Sequence, residues 1–192
     1  MGNREKVLEA AAGIFGRAGF QSTSVDEILE AAGVAPSNFY YHFKSKEELA
    51  LEVLDGFFER FRQMMGPILM NRSLTAPEKL EKIHGYFMAK LSQNGCCGGC
   101  PLGNLAQEMS DIHPEFRKRL SAFFNEAVDG IAGVVSEGIQ SGHFRPALEP
   151  RPAAFLLFGS LEGLLLLTKS MKKVDPLDQG FRAVLDLIRN KS

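Results

Sequence analysis

The residues best suited to chemistry lie between positions 37 and 46. Within these ten residues the segment carries hydroxyl, amide, imidazole and ammonium groups, on Ser37, Asn38, Tyr40, Tyr41, His42, Lys44 and Lys46. Such groups form hydrogen bonds with the phosphate oxygens and base edges of nucleic acids. No Asp or Glu occurs from Ala31 to Lys46 to repel a phosphate backbone. The segment therefore predicts a nucleic-acid contact.

A second reactive group is a cysteine cluster, in which Cys96, Cys97 and Cys100 lie within five residues of a glycine-rich segment. We expect this segment to be exposed. Cys100 precedes Pro101, which predicts that Cys100 is the N-cap of a helix, where unpaired N–H groups favour a thiolate. Three interpretations remain open: incidental or pocket-lining cysteines, a thiol sensor, and a metal site. In the sensor, Cys100 reacts and Cys96 or Cys97 is its resolving partner.

The metal interpretation has the least support. Three closely spaced cysteines lack the paired spacing of a zinc site, and no fourth ligand is evident. We therefore expect neither a metal nor a cofactor. A nucleophile motif, a glycine-rich phosphate loop and a His/Glu metal pattern are also missing from the sequence, so we do not expect an enzyme.

Two short helices are predicted to hold the polar segment. The first has apolar residues at helical spacing, namely Val25, Ile28, Leu29 and Ala32. Ser24 and Glu27 have the spacing of a capping box at its start, and Gly33 ends it. The second helix begins at Pro36, a residue tolerated in a first helical turn. With a further helix before them, the two form a helix-turn-helix pattern.

Helical periodicity continues through the rest of the chain, and no convincing strand pattern appears. Further helices are expected from Ser45 to about Gly66-Pro67, from Thr75, over Pro101–Met109, from Pro114, over Ala153–Met171 and over Pro176–Arg189. The predicted fold is all-α with about nine helices. A three-helix domain at residues 1–46, which carries the polar segment, is expected to bind DNA, and a larger helical bundle is expected at residues 47–192.

Composition gives weaker constraints. The 192 residues include 22 Lys and Arg against 23 Asp and Glu, and 45% are hydrophobic, which argues against a disordered chain. Residues 1–46 hold five basic and five acidic residues. The positions of the basic residues, rather than the net charge of this segment, must therefore favour DNA binding. The most apolar stretch, Ala153–Leu167, is short for a bilayer and contains Glu162. We expect a cytoplasmic protein with no membrane partner.

The N-terminal motifs are similar to those of the TetR family of bacterial repressors. The resemblance is carried by Thr-Ser-Val-Asp-Glu-Ile at 23–28, Ala-Gly-Val at 32–34 and Asn-Phe-Tyr-Tyr-His-Phe-Lys-Ser-Lys-Glu at 38–47. It is strong over about the first 50 residues. The segment Gly-Cys-Pro-Leu-Gly-Asn-Leu at 99–105 also resembles one in a TetR subgroup with some cysteine-based sensors.

This resemblance implies roles for individual residues. Ser37 and Asn38, with Tyr41 beside them, lie near base edges in the major groove. The expected contacts to the DNA backbone come from Tyr40, His42, Lys46 and Ser24. Phe39 and Phe43 are expected to pack in the domain. The chain departs from the common family pattern at Ala35 and Ser37, which leaves the operator sequence open.

The resemblance also implies that residues 47–192 bind a ligand and dimerise, with the last two helices as the seam of a homodimer. Their many apolar residues agree with burial on more than one side. An effector pocket of unknown specificity is expected among the middle helices, lined by Phe61, Met65, Phe87, Asn104, Met109, Phe123 and Glu162. Other polar candidates for fixing a ligand are His84, Tyr86, Gln107, Glu108 and His113.

The predicted function is a homodimeric DNA-binding regulator, a repressor of a palindromic operator in double-stranded DNA. A small molecule or a thiol-reactive effector releases it. The alternative is an α-helical interaction protein that does not bind DNA, but this alternative leaves the polar segment at 37–46 unexplained.

Overall fold

A computed structural model describes residues 2–190, and the described chain is all-α, as predicted. Its nine helices are α1 (Asn3–Ala18), α2 (Val25–Ala32), α3 (Pro36–His42), α4 (Lys46–Leu69), α5 (Ala76–Gln93), α6 (Pro101–Met109), α7 (Pro114–Gln140), α8 (Pro150–Met171) and α9 (Asp175–Ile188). They group into two compact units, and α4 and α7 contribute residues to both. The predicted domain boundary after Lys46 stays a prediction.

The first unit comprises the chain up to Phe61 together with Cys100–Leu120. Its core is aromatic and includes Phe15, Phe20, Phe39, Phe43 and Phe116, each at most 3% exposed. The Phe20 ring lies 5.5 Å from that of Phe15 and 6.0 Å from that of Phe116, measured between centroids. This core joins α1 to the loop before α2 and to α7.

Among the described residues, the second unit comprises Arg62–Gly99 and residues 121–190. Helices α8 and α9 pack closely, and a Cβ atom on Gly180 would lie 2.3 Å from Leu164 Cδ2. The buried ammonium of Lys79 is paired with Glu137 at 2.6 Å. A single antiparallel bridge joins Phe144 to Arg189 and holds the end of α9 against the loop after α7.

The helix starts follow the predicted caps. The Ser24 hydroxyl oxygen accepts a hydrogen bond from the Glu27 backbone N–H at 3.1 Å, which confirms Ser24 as the N-cap of α2. Ser45 accepts from Glu48 N–H in the same way at 3.2 Å. The Glu78 carboxylate accepts from the Thr75 backbone N–H at 2.7 Å at the start of α5. These local bonds explain why the helix starts were predictable.

Two helix bounds differ from the prediction because of proline. Helix α4 passes through Pro67 to Leu69 instead of ending at Gly66-Pro67. Pro67 has no N–H to donate, but helical bonding continues past it, since the Met70 N–H donates to the Gly66 carbonyl at 2.9 Å. Helix α8 begins at Pro150, three residues early, because the first turn needs no intrahelical N–H.

Candidate nucleic-acid interface

The turn between α2 and α3 depends on one glycine. Gly33 has φ +62° and ψ 41°, the left-handed conformation that glycine adopts without strain. The Val34 N–H donates to the Leu29 carbonyl at 3.1 Å and closes the end of α2. The chain then enters α3 at Pro36. The predicted helix-turn-helix is therefore present in the first unit.

Helix α3 has one buried face. Phe39 and Phe43 are four residues apart and lie on the same side of the helix, and both are almost fully buried. Their ring centroids are 5.6 Å apart. This confirms the prediction that both residues pack in the domain, and the packing fixes how α3 is rotated about its axis.

The opposite face of α3 is open to solvent. Ser37, Tyr40 and Tyr41 are spaced three and four residues apart and form one exposed stripe. Tyr40 is 67% exposed and Tyr41 is 83% exposed. Asn38 and His42 are half-buried beside this stripe. The structure thus brings five of the seven predicted DNA-binding residues together on one short helix.

The other two predicted contacts have structural roles. Ser24 is exposed but its hydroxyl oxygen caps α2. The Lys46 ammonium donates to the carbonyls of Phe20 at 3.0 Å and Thr23 at 2.8 Å. It also lies 4.2 Å from the centre of the Phe20 ring. In this structure, Lys46 therefore joins α4 to the loop before α2, whereas the neighbouring Lys44 is exposed.

The cysteines are placed differently from one another, and all three are thiols. Cys100 is the N-cap of α6, as predicted, and its Sγ accepts from the Gly103 N–H at 3.4 Å. Cys97 is exposed, and its Sγ lies 3.6 Å from Nζ of Lys172. The expectation of an exposed segment is wrong for Cys96, which is buried at 6% exposure because its N–H binds the Leu91 carbonyl at the end of α5.

Cys100 belongs to the first unit, and Cys96 and Cys97 belong to the second. Among residues 2–190, no group of three or more His, Cys, Asp or Glu side chains is arranged to hold a metal ion. The cluster thus offers thiol chemistry, with one cysteine capping a helix and another beside an ammonium group.

The predicted effector-pocket residues divide between the two units. Phe61, Asn104 and Met109 belong to the first, and Met65, Phe87, Phe123 and Glu162 belong to the second. Met65, Met109 and Phe123 are buried, and the other four are half-buried. None of the seven is exposed, and their role as a pocket lining stays a prediction.

A groove of about 530 Å³ that the sequence did not predict lies between α5 and α9. Its lining includes His84, Met88, Asp178, Arg182 and Arg189, and none of the seven predicted pocket residues. His84 was a polar candidate from sequence. Met88, Asp178 and Arg189 are half-buried, and Arg182 is exposed. Their approach depends on the packing of α5 against α9, which sequence spacing does not reveal.

Helices α8 and α9 leave an apolar surface uncovered. It consists of residues that are each about half exposed: Phe155, Leu156, Leu166, Leu167 and Leu187. By length and composition alone, α8 is apolar enough to cross a bilayer, the one such helix in the described part of the chain. Only 28% of its most apolar window is buried. A soluble helix of this kind needs a partner surface.

An N-terminal helix-turn-helix with an exposed polar second helix, followed by a larger helical bundle, defines a DNA-binding transcriptional regulator. Residues 7–53 match the family of bacterial regulatory proteins called the tetR family, and residues 76–184 match the tetracyclin repressor-like C-terminal domain. The chain belongs to the TetR family.

Known relatives support this placement. The transcriptional repressor KstR2 of Mycolicibacterium smegmatis is 31% identical over 152 residues, which cover 76% of this chain and 69% of that protein. The repressor DhaR of Mycobacterium sp. (strain GP1) is 28% identical over 96% of this chain and 91% of its own length. The reduced form of E. coli NemR shares the fold with a TM-score of 0.88 and 21% identity, over 99% of this chain and 98% of that one.

Proposed function

We propose that this regulator is a homodimeric repressor that binds a palindromic operator and leaves it when an effector acts on the C-terminal domain. The observation that carries the proposal is the division of α3 into a buried face, Phe39 and Phe43, and an exposed polar face. Exposed tyrosines are enriched at binding interfaces, because the ring is apolar and the hydroxyl forms hydrogen bonds. The names of KstR2, DhaR and NemR describe repressors, which favours repression over activation.

Direct contacts to DNA are assigned to the exposed face of α3. Ser37, Asn38 and Tyr41 face the base edges, and Tyr40 and His42 bind phosphates. Lys46 and Ser24 act indirectly, since the ammonium of Lys46 is bonded to two carbonyls and the hydroxyl oxygen of Ser24 caps α2. Because a protein with few basic contacts binds a single site weakly, two copies on one palindrome supply the affinity.

The exposed surface of α8 and α9 is assigned to a second copy of the chain rather than to a lipid bilayer. It extends over both helices, from Phe155 to Leu187, as a dimer seam of four helices requires. A C₂ interface uses the same patch on both subunits, which also sets the spacing of the two α3 helices. The dimer acts in the cytoplasm and has no catalytic role.

The effector is a small molecule or a thiol-reactive compound. An apolar or aromatic molecule fits a lining of Phe61, Met65, Phe87, Asn104, Met109, Phe123 and Glu162, in which thioethers and aromatic rings adapt to its shape. The thiol route uses Cys100 as the reacting group with Cys96 or Cys97 as its resolving partner. The resemblance of the Gly-Cys-Pro-Leu-Gly-Asn-Leu segment to one in a subgroup with some cysteine-based sensors favours this route. Both routes shift the dimer toward a state whose α3 helices no longer match the operator.

The experiment that tests the function is operator binding. An operator is selected from a random DNA library, and binding is measured by fluorescence anisotropy for the full chain and for Tyr41→Ala. We expect a palindromic sequence, a steep dependence on salt, and at least ~10-fold weaker binding by Tyr41→Ala at unchanged thermal stability. Tyr86→Ala, a change at a partly exposed tyrosine of the second unit, is the matched control. If no sequence is enriched at low salt, the chain is the interaction protein of the alternative hypothesis.

A further inference from the structure

The end of α6 is tied to the loop between α1 and α2. One oxygen of the Glu108 carboxylate, Oε2, accepts hydrogen bonds from the backbone N–H groups of Phe20 at 2.8 Å and Gln21 at 2.9 Å. The Gln21 side-chain amide also lies 3.7 Å from Sδ of Met109, the last residue of α6. The loop and α6 belong to the same compact unit, although 87 residues separate them in the chain.

Two features indicate a specific contact. Gly19 has φ +89°, and a Cβ atom there would lie 2.2 Å from Oε1 of Glu108, so the approach requires glycine. Phe20 is only 3% exposed, and its N–H would lose its acceptor without Glu108. Hydrogen bonds to a charged acceptor are stronger than those between neutral groups, and a buried donor left without one is costly.

The same loop is held from its other side by Lys46. The Lys46 ammonium binds the carbonyls of Phe20 and Thr23, while Glu108 binds the N–H groups of Phe20 and Gln21. The loop therefore has its carbonyls fixed to α4 and its N–H groups fixed to α6. Ser24, which follows directly, caps α2, so the position of the loop determines where the helix-turn-helix begins.

We propose that Glu108 is a positioning residue for DNA recognition, which holds the helix-turn-helix in register with α6 without touching DNA. The inference rests on the proposed function. Helix α6 has nine residues and begins at the Cys100 cap, so the cap and Glu108 lie about 12 Å apart along one rigid helix. A change at the cap that shifts α6 is thereby carried to the loop before α2.

The test compares two uncharged replacements of Glu108 in the full chain. Glu108→Gln keeps a carbonyl oxygen at the same distance from the backbone, whereas Glu108→Met has a similar length and only a weak thioether acceptor. Hydrogen exchange of the Phe20 and Gln21 amides is measured without DNA. We expect exchange at least ~10-fold faster in Glu108→Met and within about 3-fold of wild type in Glu108→Gln, since losing a bond to a charged acceptor exposes these amides. Gln107→Ala, at the exposed neighbouring position on α6, is the control and leaves both amides unchanged.

The same variants are then tested on the selected operator, at a temperature where circular dichroism shows wild-type helix content. Glu108→Met is expected to bind at least ~5-fold more weakly than wild type, and Glu108→Gln within about 2-fold. Wild-type exchange at Phe20 and Gln21 in Glu108→Met overturns the inference, and so does faster exchange with unchanged operator affinity. A wild-type chain that binds no operator contradicts the proposed function instead, so the two failures are distinct.

Discussion

Nε2 of His84 on α5 lies 3.5 Å from Oδ1 of Asp178 on α9, and the imidazole stacks flat on the Phe181 ring with 5.0 Å between centroids. Burial lowers the pKa of His84 below its ordinary value of 6.5, and the attraction of Asp178 offsets this only in part. The Nε2 atom has no hydrogen-bond partner. Burial of the imidazole between α5 and α9 therefore favours the neutral histidine, against the attraction of Asp178.

This contact predicts acid sensitivity. Because the pKa of His84 is lower in the folded chain than in the unfolded chain, the unfolded state binds more protons as the pH falls below about 6.5. The free energy of unfolding should therefore drop between pH 8 and pH 5.5, measured by urea denaturation. His84→Gln should lose part of this drop, whereas His143→Gln, a change at an exposed histidine, should retain it. An unaltered pH dependence in His84→Gln would contradict the prediction.

Gly33 and Gly16 allow the effect of backbone conformation to be separated from the effect of steric crowding. Neither has an atom within 4 Å of the position of an added Cβ, but only Gly33 has a positive φ, +62°. Gly33→Ala is expected to lower the free energy of unfolding by about 1 kcal/mol through backbone strain. Gly16→Ala, in the last turn of α1, should raise it by up to about 1 kcal/mol. Equal effects of the two changes in urea denaturation would show that the turn is not held as described.

Salt dependence separates the two lysines near α3. Lys46 is bonded to carbonyls of its own unit, and Lys44 is exposed. Lys44 is exposed two residues after α3, so we expect its ammonium to bind a phosphate. Lys44→Met should then reduce the slope of log K against log salt by about 2 for a dimer, one phosphate contact from each copy. Lys46→Met should lower operator affinity and thermal stability with little change in slope. A slope change from Lys46→Met as large as that from Lys44→Met would place its ammonium on a phosphate.

The seam proposed for α8 and α9 is tested by charge insertion. Leu167 is 48% exposed on α8, and a charge there would be buried in the dimer. Leu167→Glu should convert the dimer to a monomer or raise its dissociation constant by at least ~10-fold, measured by light scattering coupled to size-exclusion chromatography. Ile112→Glu, at a residue 63% exposed in the first unit, is the control and should remain dimeric. If Leu167→Glu remains a dimer, the interface does not include this surface of α8.

The thiol route predicts different responses of the cysteine variants. Diamide, which oxidises pairs of thiols to disulfides, should reduce operator binding by the wild-type chain, and Cys100→Ser should resist it. Cys97→Ser removes the thiol beside Lys172. If Cys97 is the resolving partner of Cys100, this variant should also resist diamide. Buried Cys96 should react more slowly than the other two thiols with an alkylating agent. An equal loss of operator binding after diamide treatment in wild type and Cys100→Ser would contradict the thiol hypothesis.

Local signals made the N-terminal unit predictable. Ser24 bonds to a residue three positions ahead, Gly33 adopts the conformation that a turn needs, and Phe39 and Phe43 share a helix face by spacing alone. Each of these relationships lies within a few residues, so periodicity, capping and turn chemistry determine it. The fold class and the face of α3 that meets solvent follow from them.

Contacts between distant segments could not be predicted from the sequence. Lys46 has the residue type and position of a phosphate ligand, but it is bonded to carbonyls more than 20 residues away. Glu108 is a polar residue of α6 that the sequence offers for a ligand, whereas folding places it against two N–H groups near Phe20. His84 meets Asp178 only because α5 packs on α9.

The sequence by itself determined the helices, their caps and the polar recognition helix, because these depend on interactions between neighbours along one chain segment. Only the tertiary structure decided which charged side chains form hydrogen bonds inside the first unit, which cysteine is buried, and which apolar helix face is left uncovered. Those outcomes depend on which surfaces meet when helices pack, and residue type and spacing do not specify the partner of a long polar side chain.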